Sequence, residues 1–282
     1  MQFVTLSNGI KMPQLGYGVY QVSQEECILE ALKVGYRHFD TAQCYLNEEL
    51  VGNAIAKSGI PRNEIFITGK VWTSHFGYEE TKKSVIESLR KLKTDYIDLM
   101  LLHQAFSDYY GAWRALEELY DQGKLKAIGV SNFYPDRLID LCSFNRIQPM
   151  VNQIELHPYY QRKEDQKWMQ KYNVQIEGWS PFGEGLCDFF TNPTLAQIGK
   201  KYNKSIAQVI LRWQLQRGIV VIPKSSNLQH IKENFEVFDF QLSEEDMNII
   251  AGMDKGKTAF ASQQEPETVE RVVKQVKDKL FD

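Results

Sequence analysis

The sequence predicts an α/β chain folded as a closed (β/α)8 barrel, with a β-hairpin plug before the barrel and a loop and helix after it. One domain is expected to span residues 1–282. Three observations carry this reading. Short apolar runs rich in β-branched residues recur along the chain, and each stops abruptly at a polar residue. Amphipathic helical patterns separate them, at spacings of about 20–40 residues, the length a strand–helix crossover needs. The two places where the glycine fingerprint of an open doubly wound sheet could begin, Gly16-Tyr17-Gly18 and Gly183-Glu184-Gly185, both lack its third glycine.

In chain order, Phe3-Val4-Thr5-Leu6 and Ile10-Lys11-Met12 flank Ser7-Asn8-Gly9. Asn-Gly between apolar runs is the strongest short hairpin signal, and the pair is expected as a two-stranded plug over one barrel mouth. Barrel strands are expected at 15–20, 36–40, 64–70, 96–103, 125–132, 149–153, 174–180 and 219–224. Their near-continuous apolar character is that of strands covered on both faces, as in parallel sheets. A helix over 25–34 carries Ile28, Leu29, Leu32 and Val34, and one over 80–92 carries Val85, Ile86, Leu89 and Leu92. Trp113, Leu116, Leu119 and Tyr120 form a third stripe, with Gly123 as its C-cap. The stretch 205–216 supplies Ile206, Val209, Ile210, Trp213 and Leu215. After Asp254 a loop over 255–264 is expected, and then a helix opened by Pro266 and running to about Lys279.

Composition narrows the function classes. A net charge of −3 without a long basic run points away from nucleic acid and anionic membranes. No stretch approaches the roughly 20 apolar residues of a membrane span, and the first residues lack a leader pattern. Cys27, Cys44, Cys142 and Cys187 are scattered, with no C-x-x-C pair, as reduced thiols of a cytoplasmic protein would be. A monomer is the expected state. Glu155 and His157 lack a third ligand at suitable spacing, so no metal is expected.

Functional groups of such barrels sit where strands end. Those positions hold Asp40, Lys70, His103, Ser131 with Asn132, Gln153, Ser180 and Lys224, and Tyr45 follows Asp40 closely. A carboxylate, an ammonium, an imidazole and a phenol at one mouth are costly to keep near an apolar core, so together they suggest catalysis. A phenol titrates near 10. A neighbouring ammonium is expected to lower that value, and a paired carboxylate keeps the ammonium charged. An imidazole can direct a carbonyl or share in proton transfer. The set suits a general acid that completes hydride transfer to C=O. Taken singly, each residue also has a plain structural role: Asp40 a cap, Lys70 a surface lysine, His103 a core histidine, Tyr45 packing. Ile222-Pro223-Lys224-Ser225-Ser226-Asn227 leads from the last strand into a helix, which makes it either an anion site or an ordinary cap.

Asp40-Thr41-Ala42-Gln43-Cys44-Tyr45 with Asn47-Glu48, Ile128-Gly129-Val130-Ser131-Asn132-Phe133, and Ile222-Pro223-Lys224-Ser225 resemble three signatures of the aldo-keto reductase family. The likeness runs over essentially the whole chain and implies that family's TIM barrel. Trp179-Ser180-Pro181 is similar to the small microbial members related to 2,5-diketo-D-gluconate reductase. The resemblance implies the catalytic set Asp40, Tyr45, Lys70 and His103, and NADPH as hydride carrier, with NADH as a permitted alternative. It further implies Ser131, Asn132 and Gln153 at the nicotinamide carboxamide, Trp179 against the ring, and Ser180, Phe182 and Gly183 along the pyrophosphate. Lys224 and Ser225 would meet the 2′-phosphate, Glu233 and Asn234 the adenine, and Tyr20, Trp72 and Gln104 a small carbonyl substrate. Two departures stand out. His230 occupies a position where the family commonly has arginine, which implies a weaker and more pH-dependent preference for NADPH. Gln104-Ala105 follows His103 where a proline is usual, which leaves that loop less constrained. The rival readings are a Schiff-base aldolase using Lys70 and a catalytically silent NADPH-binding protein on the same fold.

Overall fold

The computed structural model describes residues 1–277 and forms the expected barrel. The hairpin strands are β1 (Phe3–Thr5) and β2 (Lys11–Pro13). The barrel strands are β3 (Tyr17–Gly18), β4 (His38–Asp40), β5 (Phe66–Val71), β6 (Leu99–Leu102), β7 (Ile128–Ser131), β8 (Val151–Glu155), β9 (Gln175–Trp179) and β10 (Val220–Val221). The helices are α1 (Glu25–Val34), α2 (Glu48–Ser58), α3 (Tyr78–Leu92), α4 (Tyr109–Asp121), α5 (Pro135–Phe144), α6 (Lys163–Lys171), α7 (Pro193–Tyr202), α8 (Ile206–Gln216), α9 (Leu228–Phe235), α10 (Glu244–Ala251) and α11 (Pro266–Lys277). The last two residues of the expected final helix lie outside the described residues.

Strands β3 to β10 pair in sequence order and all in parallel. The ring closes between its first and last members, because Gly16 N donates to Val221 O at 2.8 Å and Val221 N to Gln14 O at 2.9 Å. The ladders are shorter than the apolar runs. Ahead of β4 the side chains at 36–37 anchor to helices: the Tyr36 hydroxyl donates to Ile231 O at 3.2 Å and the Arg37 guanidinium to Leu32 O at 2.9 Å, while Arg37 O still accepts from Phe66 N at 2.7 Å. At the far end Pro223, which has no N–H, follows β10 almost at once. In the opposite sense β8 runs on past Gln153 to Glu155.

The hairpin register pairs Val4 with Met12. Gly9 takes φ 88°, and the Asn8 amide donates to Lys126 O at 3.0 Å, just ahead of β7. That contact puts the plug at the amino-terminal mouth, where Met12 is fully buried and the Gln14 amide reaches Leu215 O at 2.7 Å. The opposite mouth, at the strand carboxyl ends, is left for chemistry. Two helices, α7 and α8, bridge β9 and β10 where the sequence pattern identified only the second. Asn192 caps α7 with Pro193 in its first turn, and Ser205 with Gln208 forms a capping box on α8. No helix among the described residues is long and apolar enough to cross a membrane.

Candidate active site

The carboxyl-end mouth opens into a cleft of about 820 Å³. Four strands deliver its floor: β4 ends in Asp40, β5 carries Lys70, and His103 directly follows β6, while Gln153 comes from β8. Tyr45 arrives on a 3-10 turn, Gln43–Tyr45, that follows β4. The turn is pinned by Gln43, whose Oε1 accepts from Trp72 N at 2.9 Å and whose Nε2 donates to Ser88 Oγ at 3.2 Å. A single amide thereby ties the phenol's turn both to the end of β5 and to α3.

At the floor Lys70 is completely buried. Its Nζ donates to Asp40 Oδ1, to Thr41 O at 3.1 Å and to the Tyr45 hydroxyl at 3.3 Å. Gln153 Nε2 donates at 2.7 Å to the other Asp40 oxygen. The Tyr45 and His103 rings meet edge to face with centroids 5.9 Å apart, and Trp72 stands against the His103 ring at 5.1 Å. Burial disfavours charge on Lys70, yet Asp40 and then Tyr45 more than offset it and hold the ammonium above its ordinary value. Asp40 is pushed up by burial against the pull of Lys70. His103 is driven well below the usual imidazole range, by burial first and then by the Lys70 charge, so it is neutral.

Tyr45 corrects one expectation. The ammonium does pull the phenol down, but burial outweighs it and the net shift is upward. A buried phenolate loses more hydration than one ammonium at 3.3 Å returns. Tyr45 therefore keeps its proton at ordinary pH and has a charged donor ready for the oxyanion it would become.

Of the residues that the family likeness connects with cofactor, the structure brings Ser131, Asn132, Gln153, Trp179, Ser180, Phe182 and Lys224 to the cleft wall. Several are tied to each other. Ser131 Oγ donates to Gln153 O at 2.9 Å, Asn132 Nδ2 to His103 O at 3.1 Å, and Trp179 Nε1 to Asn132 Oδ1 at 3.0 Å. Asn132 (φ 61°) and Ser180 (φ 53°) take left-handed conformations just after β7 and β9, which bends the chain away at the rim. The buried Ser180 Oγ has no hydrogen-bond partner among the described residues. Gly183 is buried beside the cleft, and Ser225, His230, Glu233 and Asn234 lie outside its wall. The start of α9 is already capped: Asn227 Oδ1 accepts from Gln229 N at 2.9 Å and His230 N at 3.3 Å. Tyr20, Trp72 and Gln104 all face the cleft.

Other lining residues were not singled out from the sequence. Cys44 places its Sγ 3.5 Å from His103 Nδ1. Arg162, itself at φ 51°, lines the cleft between the Tyr134 and Tyr160 rings. The loop after α10 contributes Thr258, Phe260, Ala261 and Gln263. Phe260 packs on Trp179 with ring centroids 5.1 Å apart, and Gln263 donates to Gln104. Glu155 anchors this loop by accepting from Thr258 Oγ1 and from Ala259 N at 2.8 Å, while it also contacts His157 at 2.9 Å. Behind the floor, in the middle of β9, Glu177 is fully buried, and its Oε2 accepts from Gln153 at 2.8 Å. A carboxylate inside an apolar strand run was the available signal for it.

Residues 9–255 match the model of the aldo/keto reductase family, and the chain belongs to that family. It is 48% identical over 257 residues to a glyoxal reductase of Bacillus subtilis, covering 89% of this chain and 92% of the relative. It is 42% identical over 260 residues to a methylglyoxal reductase of Escherichia coli, covering 90% and 94%. Among solved structures, an aldo-keto reductase from a deep-sea metagenome library shares 43% identity, with a TM-score of 0.91, and 93% of this chain matches 98% of that one. A Bombyx mori aldo-keto reductase in complex with NADP shares 31%, with a TM-score of 0.87 and coverage of 92% and 95%.

Proposed function

We propose that this aldo/keto reductase reduces small aldehydes and ketones with NADPH, and that Tyr45 delivers the proton to the carbonyl oxygen. The observation that carries the reading is the floor of the cleft, where a buried Lys70–Asp40 pair donates at 3.3 Å to a phenol that shares the cleft with a neutral imidazole.

The residues present fit a nicotinamide dinucleotide. The cleft volume lies within the range of about 300–1,000 Å³ usual for ligand sites. Ser180 has a buried hydroxyl in need of a partner, Trp179 offers an aromatic wall, and Lys224 puts a cation at the other end. Trp179, Ser131, Asn132 and Gln153 would hold the nicotinamide end, and Ser180, Phe182 and Gly183 the pyrophosphate. Lys224 and Ser225 would take the 2′-phosphate, with His230, Glu233 and Asn234 towards the adenine. A structural neighbour complexed with NADPH and another with NADP support this choice. When bound, NADPH supplies the hydride.

This chain's own residues supply the rest. His103 meets the Cys44 thiol at Nδ1; with that nitrogen as acceptor, the imidazole would carry its proton on Nε2 and use it to orient the carbonyl oxygen. Tyr45 gives that oxygen a proton, and Lys70 stabilises the phenolate left behind. Tyr20, Trp72 and Gln104 form the substrate mouth, whose aromatic character suits small carbonyls such as α-dicarbonyls. Lys70 is poorly suited to Schiff-base chemistry, which needs a neutral amine, because its partners keep it charged. The chain would act as a monomer, and its scattered cysteines without a C-x-x-C pair suit the reducing cytoplasm.

A panel of glyoxal, methylglyoxal and simple aldehydes, followed by loss of NADPH absorbance and repeated with NADH, tests the proposal. Turnover with NADPH is expected. Tight NADPH binding with no turnover on any carbonyl would instead make this a silent binding protein.

A further inference from the structure

Proton delivery as described makes no use of Glu177 or of the imidazole behind it. Glu177 lies on β9 with no exposed surface, and an aliphatic side chain would fill a buried strand position at lower cost. Its Oε2 accepts from Gln153 Nε2 at 2.8 Å, and the same nitrogen donates to Asp40 Oδ2 at 2.7 Å. Its Oε1 faces His38 Nε2 at 3.6 Å, and that nitrogen also lies 2.9 Å from Thr68 Oγ1. The backbone makes room for the imidazole: a Cβ on Gly16 would fall 2.5 Å from His38 Nδ1. The chain thus devotes a glycine, a histidine and a second acid to a position behind Gln153, which itself lines the cleft.

We infer that Glu177 is a positioning residue: with Asp40 it holds the Gln153 amide nitrogen inward, so that the amide oxygen is the group left to accept an N–H from a ligand's carboxamide. The inverted amide would set its oxygen against the Asp40 oxygen and, once Glu177 ionises, against a second anionic oxygen, a repulsive arrangement, so a pair of acceptors fixes the orientation that one alone would leave weakly determined. This rests on the reading that the cleft takes a nicotinamide dinucleotide. It adds a specificity: the site distinguishes a primary carboxamide from an isostere without the N–H2. The charged and titratable groups that face Glu177 are His38 and Asp40 on β4 and Lys70 on β5. Burial, and after it Asp40, raises Glu177 to about 8. Its ionisation adds an anion next to Asp40 and strengthens its hold on Gln153.

The test compares wild type with Glu177→Leu and Glu177→Gln. The ligands are NADP+ and its 3-acetylpyridine analogue, in which a methyl group replaces the carboxamide NH2. Dissociation constants come from tryptophan fluorescence quenching between pH 6 and 9, with thermal melting to confirm folding. Wild type is expected to prefer NADP+ over the analogue by roughly tenfold, the value of one well-placed hydrogen bond. Glu177→Leu should lose most of that preference. Glu177→Gln, whose amide oxygen still accepts from Gln153, should keep it at neutral pH but lose the change in affinity that wild type shows near pH 8. Equal preference in Glu177→Leu and wild type overturns the inference, as does a loss in Glu177→Gln as large as in Glu177→Leu. If Glu177→Leu does not fold, an unaltered alkaline step in Glu177→Gln overturns it alone. Failure of wild type to bind NADP+ at all would strike the reading of the cleft instead.

Discussion

The two ends of the cleft are built on opposite principles. At the floor, Asp40, Lys70, Gln153 and Glu177 are all at least 98% buried and bonded to one another before any ligand arrives. At the outer arm, Lys224 and His230 are exposed, and the neighbouring helix start is closed by Asn227. Charges in a dry site interact strongly and need little reorganisation, whereas exposed ones are screened by water. Changes at the floor should therefore alter rate and stability, and changes at the arm affinity alone.

The largest effect should come from Tyr45→Phe, which removes only the proton to be delivered. Turnover should fall by at least roughly 10²–10⁴-fold, with NADPH affinity and melting temperature near those of wild type. Retained turnover in stopped-flow assays would remove Tyr45 as the acid. Next is Lys70→Met, which strands Asp40 without its cation in the barrel interior. Urea unfolding should show a loss of about 3–5 kcal/mol, with much of it recovered in the Lys70→Met/Asp40→Leu double variant. A double variant no more stable than Lys70→Met would mean that the pair is not the unit the geometry suggests.

This contrast also explains what the sequence could tell. The floor was legible because a polar residue that ends an apolar run is costly unless it has a task, and Asp40, Lys70 and His103 each stand at such a point. Glu177 carried the same signal inside a run, but a strand is read by its average and one acid does not break it. The outer arm is loop and helix cap, where polar residues cost nothing, so Lys224 to Asn227 read equally as an anion site or a cap, and His230, Glu233 and Asn234 drew meaning only from family likeness. The wall formed by Thr258, Phe260 and Gln263 had neither periodicity nor a motif to mark it, and Arg162 owes its place to a left-handed backbone turn after β8.

A pH experiment sharpens the picture of the floor. Glu177 holds its proton in the folded state up to about 8 against an ordinary 4.5, so the unfolded chain releases a proton first. Its contribution is fully present below about 4.5 and is lost as pH rises through 8. His38 is depressed from 6.5 to about 3, mainly by burial, and works the other way: its contribution is present above 6.5 and is lost as pH falls towards 3. Wild type should lose stability relative to Glu177→Gln between pH 5 and 8, with no further loss above. Parallel unfolding curves for the two proteins across that range would mean that Glu177 ionises normally.

The smallest effect belongs to the arm. His230 is exposed, with its backbone N–H already accepted by Asn227, so a side-chain change there should leave the helix start intact. Arginine would add a permanent charge where the 2′-phosphate is proposed to lie. An exposed charge pair contributes about 0.2–1 kcal/mol, so His230→Arg should tighten NADPH by roughly one- to fivefold and leave NADH unchanged. Calorimetric titration of both cofactors against wild type and variant separates the outcomes. An equal gain for NADH would place His230 against the adenine or ribose, and the arm would then discriminate by shape, not charge.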